Sequence, residues 1–216
     1  MNIINKIYKA KGTLLEMLDL RNYNTNKFSN FSINEIDTMY KSIDKKTTTE
    51  NSALDFTCQS NDTENDSSCI IKFLLFTKMR VGNLKILIDN MITDEIIKEK
   101  DTLIFVVKDK INTIDTFESL FNSYIDNNNI MIQIFWIDTL LFNITKHELV
   151  PEMRILNNQE KNELFEKVNI ERFDQLPLIE KTDPSAKFYG LKKGDVVEII
   201  RKSPTSGVFR TYRFCE

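Results

Sequence analysis

The 216-residue chain holds one histidine, His147, with three cysteines, four prolines and five glycines. Each scarcity removes a class of chemistry. With one imidazole no three-histidine metal set can form, and His147-Glu148 stops short of the second histidine that an HExxH site requires. Any Ser-His-Asp or Cys-His arrangement would have to be built around His147, and no GxSxG elbow accompanies it. Cys58, Cys69 and Cys215 are odd in number and lack CxxC spacing, so they read as reduced thiols of a nuclear or cytosolic protein. The opening MNIINKIYKAKG has neither the apolar run nor the cleavage site of a signal peptide. The most apolar stretch, residues 130–144, is broken by Gln133, Asp138, Thr139 and Asn143, and a membrane span needs about 20 apolar residues. No membrane partner is expected.

Positive charge is also scarce. Lys+Arg number 29 against 32 Asp+Glu, and residues 143–216 carry 13 against 12, so no basic domain hides in the total. Nucleic-acid binding by a free protein normally rests on a clustered positive surface that releases counterions from phosphates. If DNA is a partner, something else must hold it nearby.

What is present is an alternation of helices and strands. Ile4, Ile7, Tyr8, Leu14, Leu15 and Leu18 recur at helical spacing and predict a helix over residues 3–20. Ser32 with Glu35 forms a capping box for a second helix, onto which Phe31 can staple at Ile36. Residues 44–68 are mostly polar around the island Ala53 to Cys58, read as a weak strand. CIIKFLLF (69–76), LIFVVK (103–108) and IMIQIFWI (130–137) are uniformly apolar strands, separated by helices over Asn83–Lys98 and Thr113–Ile125. Strands apolar on both faces need cover on both, which points to an α/β layer with a mixed, partly parallel sheet.

Near residue 143 the pattern changes, giving domains 1–142 and 143–216. Asn157 with Glu160 caps a helix through Val168. Asp183-Pro184 is an N-cap followed by proline at the first helical position, and Gly190 falls where a short helix must reverse through a left-handed residue. Gly194 allows the next turn, Val196 to Arg201 forms a strand, SPTSG turns, and Val208 to Phe214 returns. The second domain is thus a small two-layer α/β unit ending in a β-hairpin. The glycines are backbone punctuation; nothing in their spacing resembles the phosphate-cradling GxxxxGK[ST]. Arg201, Lys202, Arg210 and Arg213 form its densest basic group.

A metal-dependent nuclease would place an acidic residue and an acidic-x-Lys pair on adjacent strands. The triplet Asp44-Lys45-Lys46 falls in the polar stretch instead, which leaves a stand-alone nuclease as the rival reading. A dissociable transcription regulator is a third.

The segments NITKHELVP (143–151), QLPLI (175–179), TDPSAKFYGLKKGDVVEIIRKSPTSG (182–207) and TYR (211–213), in this order and spacing, strongly resemble the C-terminal assembly domain of the fifth subunit of DNA-directed RNA polymerases, a domain shared by the eukaryotic nuclear enzymes and their archaeal counterparts. Leu178 stands where that family usually has arginine, and Pro204 where glutamate is commoner. Residues 1–142 resemble the eukaryotic jaw domain more faintly, through element order and the helix INKIYKAKGTLLEMLDLRNY. The resemblance implies a non-catalytic polymerase subunit of eukaryotic or eukaryote-infecting viral type, without cofactor or metal and not a homo-oligomer. It would work in the nucleus or, if viral, in a virion or cytoplasmic viral factory. Its C-terminal domain would dock on the largest subunit beside other core subunits, and its jaw would lie along downstream duplex DNA.

For docking, the resemblance together with the turn analysis selects His147, Val150, Pro151, Asp183, Pro184, Gly190, Lys192, Gly194, Arg201, Gly207, Tyr212 and Arg213. For a weak phosphate contact, the N-terminus of the helix beginning near Thr113 and Ile114 is the candidate, with Lys108 and Lys110 just before it.

Overall fold

Helical spacing at the start of the chain becomes α1 (Ile3–Leu20) in the computed structural model, which describes residues 1–43, 52–62, 67–76, 80–108, 114–203 and 207–216. The chain divides into two units, Met1–Phe142 and Asn143–Glu216. No helix among the described residues is long and apolar enough to cross a membrane.

In the first unit α1 buries Ile7, Ala10, Leu14, Met17 and Leu18 along one stripe. α2 (Ile33–Ser42) opens on the reciprocal box: the Glu35 N–H donates to Ser32 Oγ at 3.2 Å and the Ser32 N–H to Glu35 Oε2 at 2.8 Å. Phe31 stacks on Phe28 and carries the Lys11 ammonium 3.3 Å over its ring centroid. Lys11 is only 3% exposed, and burial pulls its pKa down to about 8.

β1 (Phe56–Gln59) pairs antiparallel with β2 (Ser68–Leu74), and β2, β3 (Thr102–Val107) and β4 (Met131–Trp136) run parallel in the order β1-β2-β3-β4. α3 (Val81–Thr93) and α4 (Ile114–Asn128) make the two crossovers. Leu84, Ile88, Phe117 and Phe121 from these helices pack on Ile70, Leu103, Phe105, Val107 and Ile132. Each such side chain contributes about 1.5–3 kcal/mol by leaving water. Gln133, which faces the opposite way from Ile132, accepts from Arg21 at the end of α1 at 2.8 Å, so α1 lies across the other face. Both faces of the parallel strands are covered, as their composition requires.

α3 stops at Thr93 rather than at Lys98. Apolar spacing continues through Ile96 and Ile97, but Glu95 turns left-handed at φ 55° and the Asp101 carboxylate gathers the N–H groups of Ser68 and Lys98. These contacts fold the segment back to start β3. The Asp44-Lys45-Lys46 triplet lies outside the described residues.

In the second unit, β5 (Glu152–Ile155), β7 (Val196–Ser203), β8 (Gly207–Cys215) and β6 (Leu178–Ile179) form a sheet in the order β5-β7-β8-β6. β5 and β6, of four and two residues, are too short to show a period in the sequence. α5 (Asn158–Val168) begins on the Asn157–Glu160 box and contributes Leu164 to a cluster with Leu156, Leu176 and Val196. α6 (Pro184–Tyr189) contributes Ala186 and Tyr189 to a cluster with Val197, Ile199 and Cys215. Because Val196 and Val197 point to opposite faces, each face of the sheet carries a helix.

The short α6 is held at both ends. Asp183 Oδ1 accepts from the Ser185 N–H at 2.8 Å and the Ala186 N–H at 3.3 Å, and Gly190 closes the helix at φ 73°, ψ 37°. A β-branched residue at that φ costs about 1–3 kcal/mol. Gly190→Val should therefore lower the melting temperature of the C-terminal unit markedly; a thermal melt checks this, and an unchanged midpoint would count against the left-handed turn.

Candidate partner-docking surface

β7 begins Val-Val-Glu-Ile-Ile, and because successive side chains of a strand point to opposite faces its one carboxylate, Glu198, shares a sheet face with Val196. Glu198 is 2% exposed. A lone buried carboxylate would be costly, and three donors satisfy this one. From β5, Arg154 donates through Nη2 at 3.1 Å and Nε at 3.3 Å to Glu198 Oε2. From β8, Arg210 Nη1 at 2.8 Å and the Tyr212 hydroxyl at 3.3 Å both donate to Oε1. Arg154 also pairs with Glu160, the capping-box glutamate of α5. Burial pushes the Glu198 pKa up, but hydrogen bonds from Arg210 and Arg154 hold it below the ordinary glutamate value. Burial, then the Glu198 charge, raises the Tyr212 hydroxyl. This polar centre ties three strands and a helix together.

The basic group foreseen on the hairpin divides accordingly. Cross-strand partners share a face, so Arg201 opposite Phe209 and Arg213 opposite Val197 lie on one side, while Lys202 opposite Val208 and Arg210 opposite Ile200 lie on the other. Arg210 is engaged by Glu198, and Arg213 donates to the Leu178 carbonyl at 3.1 Å. Arg201 and Lys202 extend into solvent.

Several of the other selected residues shape the backbone. Asp183, Pro184 and Gly190 build α6, and Gly194 at φ 93° joins Cys215 through its N–H at 2.9 Å. Gly207 reverses the hairpin at φ 70°. Lys192 is exposed; its N–H donates to Asp195 Oδ2. His147 closes the 3-10 helix Ile144–Lys146, and its Nδ1 accepts from the N–H of Leu149, whose side chain is 83% exposed. Val150 and Pro151 are half-buried beside it and lead into β5.

In the first unit, Lys108 is exposed directly after β3, and Ile114 starts α4. Lys110 and Thr113 lie outside the described residues. Arg80, exposed at the N-cap of α3, follows β2; the strands are parallel, so Arg80 and Lys108 belong to loops at the C-terminal ends of neighbouring strands. The sequence reading missed Arg80, and it missed Glu198 with Arg154; the trace of the latter was a carboxylate set between Val197 and Ile199 in the apolar first part of a strand. Among the described residues no group of three His, Cys, Asp or Glu side chains is disposed to hold a metal ion.

Residues 142–215 match the family described as RNA polymerase Rpb5, C-terminal domain, which defines the second unit as a polymerase-subunit domain. Over all 216 residues the chain is 30% identical to the subunit rpabc1 of DNA-directed RNA polymerases I, II and III from Dictyostelium discoideum, covering the whole of both. It is 56% identical over 72 residues to the DNA-directed RNA polymerase subunit Rpo5 of Pyrococcus abyssi, and 54% identical over 72 residues to that of Thermococcus kodakarensis; in each case this is 33% of the present chain and 87% of the relative. The chain belongs to the Rpb5 family of non-catalytic RNA polymerase subunits.

Glu198→Gln should weaken the second unit by about 1.5–3 kcal/mol, the range for hydrogen bonds to charged groups. The folded-state pKa of Glu198 is depressed, so its stabilisation is full above the ordinary glutamate pKa and is lost as pH falls through the folded value. Thermal melts of both proteins across the acid range should show a shallower loss of stability for Glu198→Gln; parallel curves would remove Glu198 from this role.

Proposed function

We propose that the chain is a core subunit of a nuclear DNA-directed RNA polymerase whose C-terminal unit docks on the largest subunit and whose N-terminal unit serves as a jaw beside downstream duplex DNA. The observation that carries the reading is the end-to-end match with a eukaryotic relative named as a subunit of polymerases I, II and III. The archaeal Rpo5 relatives match over 72 residues, which supports an assembly role for the second unit and leaves the jaw role to the first.

The docking surface comprises the segment His147 to Pro151, the Asp183 to Gly194 turn, and the hairpin, with Arg201 and Arg213 on one of its faces and Tyr212 on the other. Asp183, Gly190 and Gly194 act by holding the shape that the partner meets. His147, Lys192 and Arg201, all exposed, supply contact.

DNA contact is kept weak by the charge. With a net charge of −3 the free chain has little attraction for phosphates, but tethering to an assembly raises the effective concentration to roughly millimolar. The N-terminus of α4, with Lys108 and Lys110 before it, receives a phosphate; Arg80 at the neighbouring helix start adds a third cation.

Arg201→Ala should reduce co-purification with the largest subunit while the isolated protein keeps its melting temperature; undiminished recovery of the complex would reject docking through this residue. In the assembled polymerase, Lys108→Ala should lower the slope of log affinity for downstream duplex against log salt by about 0.9, one phosphate contact. An unchanged slope would remove Lys108 from the DNA path.

A further inference from the structure

The hydrogen-bond direction along β8 can be followed residue by residue. The N–H groups of Phe214 and Glu216 donate to Pro177 and Ile179 on the β6 side, and that of Cys215 donates to Asp195 on the β7 side. The β7–β8 register runs one-to-one from Val196↔Phe214 to Ser203↔Gly207 with no bulge. Alternation therefore turns the N–H and C=O groups of Val208, Arg210 and Tyr212 outward, away from β7. β6 pairs only with Phe214 and Cys215, because the chain before it coils into the 3-10 helix Phe173–Gln175. The remainder of that edge has no strand beside it among the described residues. Proteins usually cover, shorten or bulge such an edge.

The side chains flanking the open edge have a consistent chemistry. Val208 is 58% exposed and Phe209 53%, one on each face, and each stands opposite a cation, Lys202 and Arg201 respectively. Between Ile199 and Phe214 the sequence contains Arg201, Lys202, Arg210 and Arg213 and no carboxylate. Edge-to-edge pairing with a second copy would set Arg210 and Arg213 of one β8 beside those of the other, with Arg201 and Lys202 one strand behind and only Glu198, already shared by Arg154 and Arg210, to offset them, so like charge opposes self-pairing. An extended segment with acidic and apolar side chains is complementary on both faces.

We propose that the open edge of β8, at Val208, Arg210 and Tyr212, receives an extended acidic and apolar segment of a neighbouring polymerase subunit as an added β-strand in line with β6. This rests on the docking reading above and gives it a mechanism: backbone pairing supplies the affinity, and the Arg201–Phe209 and Lys202–Val208 pairs supply the selectivity.

Residue-resolved hydrogen exchange on the full-length protein, alone and within polymerase purified from the native source, tests this. Alone, the amides of Val208, Arg210 and Tyr212 should exchange at least tenfold faster than those of Phe209, Thr211 and Arg213. In the polymerase the first three should slow by at least tenfold. Fast exchange of these amides inside the polymerase overturns the proposal while leaving the subunit reading intact, whereas failure to find the chain in polymerase at all overturns the subunit reading itself. Protection in the isolated chain that rises with its concentration would identify a second copy as the occupant and overturn the acidic-partner assignment. As a second measurement, the double substitution Arg201→Glu with Lys202→Glu, at two exposed positions, should lower recovery in polymerase at least tenfold without moving the melting temperature; equal recovery counts against the proposal.

Discussion

A buried carboxylate can be kept in a protein only if enough donors surround it, and in the second unit that constraint organises everything else. Glu198 needs a guanidinium from β5 and another from β8, which fixes the order of three strands. Arg154 in turn reaches the capping glutamate of α5, so the same charge sets where that helix starts. Hydrophobic clusters on the two faces supply most of the favourable free energy, but Val, Ile and Leu can slide past one another. The ion network allows one register, and a shift of a single residue would turn Glu198 toward the face that carries α6.

This explains why the second unit can be small and still present a defined surface. Its helices are short and two of its strands shorter, so propensity contributes little. Definition comes instead from local devices that leave no freedom: the Asp183 cap, the left-handed Gly190, the Asn157–Glu160 box and the Glu198 centre. A surface built on such fixed points loses little entropy when another protein meets it.

Sequence alone reveals what depends on neighbours along the chain. The capping boxes at Ser32 and Asn157, the Asp183-Pro184 start and the reversal at Gly190 are signals within a few residues, and each is present in the structure. The apolar strands of the first unit are equally plain, because burial on both faces leaves no polar alternation. What stays hidden depends on residues distant in sequence. Asp101 gathering Ser68 and Lys98 ends α3 early; Arg154 meets Glu198 across 44 residues; Leu178 of β6 finds Phe214 of β8. The basic group on the hairpin looks like one patch when read in a line, whereas pleating sends its members to opposite faces. Family resemblance supplies the function that no motif could, since docking surfaces carry no fixed chemistry of the kind a metal or a nucleophile demands.

The three cysteines add one more property. Cys58 and Cys69 sit opposite each other on β1 and β2, Cys215 ends β8, and all are almost wholly sheltered from water. Burial pushes the pKa of Cys58 up to about 11 and that of Cys69 up to about 12, and raises that of Cys215, so each stays a protonated, unreactive thiol while its sheet is closed. Each unit consequently contains its own chemical clock: the rate at which an alkylating reagent captures these sulfurs measures how often that unit opens, separately for the two units.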